Sequence, residues 1–192
     1  MEPLDAAAAR EHLEMVERIL AQSQQRLCAG GEFFVVWGLF SGGATVAGHL
    51  ISRGLAPVSL MWVVAAALVA CIVFSIVRAR ALRGSGTRES LVQREFFNVL
   101  WLTLGLAFVV NIAGYRLFPG LASAAIWSFA EVIVLLYIGM HGNRRAIVCG
   151  MLVLASLIAA NFVPPQTAAY VLAAGGIAGY TGFGLAELLS KE

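Results

Sequence analysis

The sequence predicts an all-α integral membrane protein with six transmembrane helices. Of its 192 residues, 60% are hydrophobic and 12% are charged, whereas a soluble protein of this size keeps about a quarter of its residues charged. Six apolar stretches have about the 20 residues that a helix needs to cross the hydrocarbon core. The predicted spans are 33–52, 57–78, 96–117, 121–141, 146–163 and 167–187. These stretches are continuously apolar, which excludes the alternating pattern of a membrane β-barrel.

The connections between the spans predict three antiparallel hairpins within a membrane domain of residues 32–188. The segments 53–56, 118–120 and 164–166 are short and contain or adjoin glycine and proline. Such residues end helices and form tight turns. We therefore expect spans one and two, three and four, and five and six to be neighbours.

The distribution of basic residues predicts that both termini face the cytoplasm. Eleven of the thirteen lysine and arginine residues fall on one side of the predicted membrane, and only Arg53 and Arg116 fall on the other. Cytoplasmic loops carry the excess of basic residues. Because twelve of the thirteen are arginine, a habit of GC-rich bacterial genomes, we expect a multi-pass protein of a bacterial inner membrane.

The first and third spans resemble each other. Glu32-Phe33-Phe34 precedes Trp37 in the first span, and Glu95-Phe96-Phe97 precedes Trp101 in the third. Spans separated by an even number of crossings keep the same orientation, so a duplication would be a parallel repeat. The alternative is chance recurrence, because aromatic residues are common at both membrane interfaces.

The first 31 residues are expected to form a cytosolic amphipathic helix over residues 5–28, and residues 189–192 a cytosolic tail. Leu13, Val16 and Leu20 recur at helical spacing, with acidic and amide side chains between them. Acidic residues near the start distinguish this segment from a signal peptide. The helix either docks on the bundle, self-associates or binds a cytosolic protein partner.

Glu131 is the main candidate site residue, because it lies in the middle of the fourth span. A charged side chain at the bilayer centre costs about 2.5–3.5 kcal/mol on insertion scales, so Glu131 is expected to face the bundle interior or water. Ser128 lies one turn away, and Thr45 is expected at similar depth in the first span. The three form either an ion or proton site or a structural hydrogen-bonding group.

Two further sets of residues are candidates for a site or for helix packing. A polar layer near the outer face forms either the mouth of a pathway or an ordinary interfacial layer. Its members are His49, Asn111, Tyr115, Arg116 and Asn161. Glycines at G-x-x-x-G spacing, Gly38 with Gly42 and Gly175 with Gly179, allow close helix packing, either within the chain or in a homo-oligomer.

These observations leave two functions open. One is a small transporter or channel with Glu131 as its acidic site. The other is a membrane regulator or scaffold that presents residues 5–28 and the arginine-rich loop at residues 78–94 to a cytosolic partner. We find no catalytic motif, no cofactor or metal-binding pattern, and no basic stripe for nucleic acid.

Overall fold

A computed structural model describes residues 14–17, 30–84, 91–117 and 123–190, and within these residues the chain is helical and contains no strand. All-α architecture is therefore confirmed. The six long helices are α1 (Gly31–Ser52), α2 (Leu60–Gly84), α3 (Leu91–Leu117), α4 (Ser123–Met140), α5 (Arg144–Ala159) and α6 (Pro165–Leu189). Each of them overlaps one predicted span.

Several helix ends differ from the predicted boundaries. Helix α2 continues to Gly84, six residues into the segment predicted as a loop, because its arginines, alanines and leucine are good helix formers. Helix α5 ends at Ala159, four residues before the predicted end at 163, and the Pro164-Pro165 pair disfavours helix at Val163. Pro165 then occupies the first turn of α6, where its missing N–H costs nothing.

The core lies where α1, α4, α5 and α6 meet. Helix α6 packs on α1 and α5, and α4 packs on α5. Leu135, Val153 and Phe183 are almost completely buried there, and Phe183 makes an edge-on contact with Phe34 at 4.9 Å between ring centroids. Helices α2 and α3 flank this core, α2 against α1 and α3 against α4.

Contacts at one end of the bundle define the relative directions of the helices. Arg78 near the end of α2 forms a two-point ion pair with Glu32 at the start of α1, with Nε–Oε2 at 2.6 Å and Nη2–Oε1 at 2.8 Å. Gly31 lies against Gly184 near the end of α6. Helix α1 is therefore antiparallel to both α2 and α6.

The flanking helices expose large apolar side chains. Trp62 on α2 is 79% exposed and Trp101 on α3 is 70% exposed. By length and composition, four helical stretches of the described residues could cross a membrane: Gly31–Ser52, Leu60–Arg78, Ser123–Met140 and Pro165–Leu189. In the other two predicted spans the structure has shorter stretches, Asn98–Ala113 in α3 and the 16 residues of α5.

Most of the predicted N-terminal helix lies outside the described residues. Residues 14–17 are helical, and Met15 and Val16 are about half exposed. Its three predicted roles therefore stay open.

The two members of the predicted repeat have different surroundings. Trp37 on α1 donates a hydrogen bond to Ser75 of α2 at 3.0 Å, whereas Trp101 on α3 is mostly exposed. The duplication remains a prediction from the sequence pattern.

Candidate functional site

Glu131 lies inside the bundle, on the face of α4 that meets α1 and α6. Its side chain is 8% exposed, and Ser128 one turn earlier is 5% exposed. The neighbours of Glu131 on α4, Ala130 and Val132, are also buried. The expectation that this carboxyl would face the interior therefore agrees with its placement.

Two other helices contact the Glu131 carboxyl. The Ser41 side chain of α1 shares a hydrogen bond with it. Gly176 of α6 lies so close that a Cβ atom there would be 3.0 Å from Glu131 Oε2. The buried side chain of Tyr180, one turn along α6, is near enough to interact electrostatically with Glu131. The carboxyl thus joins three helices.

One oxygen of this carboxyl has no hydrogen-bond partner. Glu131 Oε2 is buried and unpaired among the described residues. A buried polar atom without a partner costs about 1–3 kcal/mol, and such atoms usually bond to ordered water or carry a functional role. The arrangement therefore leaves Oε2 open to a proton or a water molecule.

Helix α6 departs from regular α-helical geometry next to this site. Residues Ile177–Thr181 form a π-helical turn, directly after Gly176. A π-helical turn widens the helix by one residue and is frequent at functional sites. Thr181 at its end is buried, and its hydroxyl oxygen has no partner among the described residues.

The predicted glycine pairs lie at contacts between helices of this chain. Gly38 of α1 faces Thr181, whose backbone nitrogen would be 2.7 Å from an added Cβ, and Gly42 faces Ile177. Gly175 and Gly179 instead face α5, at Ser156 and Val153. The absence of side chains at these positions allows α6 to approach both neighbours closely.

A second buried carboxyl, which the sequence reasoning missed, lies at the end of α6. Glu187 is 3% exposed, and its Oε1 accepts a hydrogen bond from Asn143 Nδ2 at 2.9 Å. Asn143 also caps α5, accepting from the backbone of Arg145 and Ala146. The sequence signal was an acid at the last residue of an apolar span, which resembles an ordinary interfacial residue.

The α1 hydroxyl that reaches Glu131 is not that of the predicted residue, Thr45. Thr45 is half-buried on α1, and the hydroxyl that reaches Glu131 belongs to Ser41, one turn earlier. Ser41 and Tyr180 were therefore missed, because residue counting along separate helices does not give their relative heights to within a turn.

Among the outer-layer candidates with described side chains, His49, Asn111 and Asn161, no contact joins one to another. His49 packs edge-on against Tyr170 at 5.3 Å between ring centroids. Asn161, just beyond the end of α5, is exposed and donates to Leu157 O, and Asn111 is half-buried on α3. The side chains of Tyr115 and Arg116 lie outside the described residues.

An apolar groove of about 480 Å³ opens between α5 and α6, beside Ser156 and Gly175. The Ser156 hydroxyl already donates to Val153 O at 2.7 Å, so the groove offers a ligand little polar recognition. In the described part of the chain, no group of three or more histidine, cysteine or acidic side chains could hold a metal ion.

Comparisons with known proteins identify no relative. No protein-family model, no curated protein and no solved structure matches the chain.

Proposed function

We propose that the chain is a six-span inner-membrane protein of the transporter or channel type, in which Glu131 binds and releases a proton. The observation that carries the proposal is the buried, unpaired Glu131 Oε2 at the junction of α1, α4 and α6. The arrangement of the spans as three hairpins, with both termini in the cytoplasm, is part of the proposal.

The exposed surface supports placement in a membrane. Val58, in the connection before α2, and Trp62 and Trp101, on the flanking helices, are 70% exposed or more. Large exposed apolar patches are rare in soluble monomers. Lipid would cover it, and the ion pair between Glu32 and Arg78 would lie at the cytoplasmic interface.

The chemistry of the site favours a proton over a metal cation. Ca²⁺ takes six to eight oxygen ligands and Mg²⁺ takes six in octahedral geometry. The residues that reach the Glu131 carboxyl are a serine, a glycine and a tyrosine. A proton needs one free oxygen, and Oε2 provides it.

Helix α6 could couple protonation to movement. The unpaired Oε2 of Glu131 lies against Gly176, where α6 changes from α-helical to π-helical hydrogen bonding. Ionisation of Glu131 changes the free energy needed to bury its carboxyl away from water at this contact. The π-helical turn is the part of α6 that can shift its backbone register in response.

Proton flux into liposomes tests the proposal. The purified protein is reconstituted in vesicles that contain a pH-sensitive dye, and a pH gradient is applied. We expect flux above that of empty vesicles, and we expect Glu131→Gln to abolish it. Glu17→Gln, at an exposed position in residues 14–17, is the matched control and keeps the flux. Absence of flux in the unmodified protein, or full flux in Glu131→Gln, overturns the proposal.

A further inference from the structure

The two oxygens of the Glu131 carboxyl have different surroundings. Oε2 has no hydrogen-bond partner among the described residues and lies against Gly176 of α6. The hydrogen bond that the carboxyl shares with the Ser41 side chain of α1 therefore involves Oε1. A buried carboxyl with one bonded and one free oxygen has a defined orientation, because exchanging the two oxygens would break that bond.

The turn of α1 that carries Ser41 packs directly on the π-helical turn of α6. Gly38 lies so close to Thr181, the last residue of the π-helical turn, that an added Cβ atom would be 2.7 Å from its backbone nitrogen. Gly42, directly after Ser41, faces Ile177, the first residue of the π-helical turn. Because these contacts involve backbone atoms and no glycine side chain, α1 has little room to slide along α6 here.

Ser41 and Gly176 therefore approach the Glu131 carboxyl from two helices that hold each other in place. Gly176 directly precedes the π-helical turn, and a Cβ atom there would be 3.0 Å from Oε2. A serine hydroxyl is one rotatable bond away from the backbone and occupies staggered positions. Ser41 can therefore hold Oε1 within a narrow range of positions while Oε2 lies against α6.

We propose that Ser41 is the positioning residue of the site, and that its hydroxyl holds Oε1 so that Oε2 of Glu131 carries the exchangeable proton. The inference rests on the proposed function, because it assumes that Glu131 binds and releases a proton. When Glu131 is ionised, the Ser41 hydroxyl donates to Oε1. An arriving proton forms an O–H bond at Oε2, and Oε1 becomes the carbonyl oxygen, which still accepts from Ser41. On release the O–H bond breaks, and its electron pair stays on Oε2.

The choice of oxygen determines which helix the proton meets. A proton on Oε2 lies beside Gly176, at the start of the π-helical turn. A proton on Oε1 would force the Ser41 hydroxyl to change from donor to acceptor, and the charge on Oε2 would then remain against α6 without a partner. Orientation by Ser41 therefore directs the effect of protonation to α6.

Tyr180 is the other polar side chain that could orient the carboxyl. It lies on α6, near enough to interact electrostatically with Glu131. Its ring packs edge-on against Phe34 of α1, with 5.3 Å between the ring centroids, so its position is set by the aromatic core. Ser41 is half-buried and bonds to the carboxyl itself. Comparison of Ser41→Ala with Tyr180→Phe distinguishes the two residues.

The infrared C=O band of protonated Glu131 tests the role of Ser41. A C=O group that accepts a hydrogen bond absorbs at a lower wavenumber than a free one. Difference spectra against Glu131→Gln isolate the band in the whole protein in micelles. We expect Ser41→Ala to move the band to higher wavenumber and Ser41→Thr, which keeps the hydroxyl, to return it. Proton flux in liposomes should fall roughly ten- to a hundredfold in Ser41→Ala, the size of loss that follows when a reacting group is misplaced.

Ser156→Ala is the matched control, because its hydroxyl donates to Val153 O of its own helix at 2.7 Å. It should leave both the band and the flux unchanged, and thermal unfolding verifies that every variant is folded. An unmoved band in Ser41→Ala, or a larger shift in Tyr180→Phe than in Ser41→Ala, overturns the role of Ser41. The flux of the unmodified protein then still decides the proposed function. A band shift in Ser41→Ala without flux in the unmodified protein supports the positioning role and contradicts transport.

Discussion

Glu131 of α4 and Gly176 of α6 are in direct contact at the centre of the bundle, and a Cβ atom at residue 176 would be 3.0 Å from the unpaired Oε2 of Glu131. Because glycine has no side chain, the backbone of α6 can pass close to this carboxyl. The Glu131 carboxyl therefore lies beside the residue that directly precedes the π-helical turn of α6.

This contact predicts that Gly176→Ala destabilises the protein through Glu131. Overpacking a tight interior site costs about 1–3 kcal/mol, so the free energy of unfolding in micelles should fall by that amount. In a Glu131→Ala background the same substitution should cost less, because the crowded carboxylate oxygen is gone. Denaturant titrations followed by circular dichroism measure both values. Equal costs in the two backgrounds would show that the contact is unimportant.

The approach of α1 to α6 predicts a strong effect of Gly38→Ala. The added methyl would lie 2.7 Å from the backbone nitrogen of Thr181, and backbone atoms cannot move aside cheaply. We expect a loss of about 1–3 kcal/mol of unfolding free energy. Gly43→Ala on the same helix meets open space and should be neutral or stabilising, since alanine is the better helix former. Similar losses for both variants would contradict this packing.

The sequence predicted the number of long helices better than it predicted the contacts between them. Apolar runs of about 20 residues set the number of long helices, because only their composition is needed to recognise them. Contacts between different helices could not be predicted to within a turn, so the sequence did not single out Ser41 as the residue that reaches Glu131. The π-helical turn at Ile177–Thr181 could not be predicted either, because it depends on how α6 fits between α1 and α5.

Substitutions of Asn143 should separate the effects of its two hydrogen-bonding groups, the oxygen that caps α5 and the nitrogen that donates to Glu187. Asn143→Ala removes the cap of α5, worth about 1 kcal/mol, and leaves Glu187 Oε1 without its donor, which costs about 1–3 kcal/mol more. Asn143→Ser keeps a capping oxygen and loses the donor that reaches Glu187. Unfolding free energies should therefore rank the unmodified protein above the serine variant and the serine variant above the alanine variant. Equal stabilities of the two variants would contradict the capping role.

The pair between Glu32 and Arg78 predicts a small, salt-dependent coupling. Both side chains are more than a third exposed, and exposed ion pairs contribute about 0.2–1 kcal/mol. A double-mutant cycle with Glu32→Gln and Arg78→Gln measures the coupling in the free energy of unfolding. We expect it to shrink in 1 M salt, where the screening length falls to about 3 Å. A coupling that does not change with salt would show that the pair is not screened as an exposed one.

Glu187 illustrates a limit of sequence reasoning at helix ends. An acid at the last residue of an apolar span has the pattern of a solvated interfacial residue. Its burial results from three segments that meet there: the start of α1 at Gly31, the cap residue Asn143 and the end of α6. Only the packing of residues far apart in sequence distinguishes it from an exposed acid.

The pH dependence of the Glu131 carboxyl shows whether this side chain binds and releases a proton. Infrared difference spectra of the unmodified protein and Glu131→Gln isolate the C=O band of the protonated side chain. We expect a band that is present at low pH, disappears reversibly as the pH is raised, and is absent from Glu131→Gln at every pH. A band that does not change over the pH range in which the protein stays folded, or spectra that are identical in the two proteins, would contradict it.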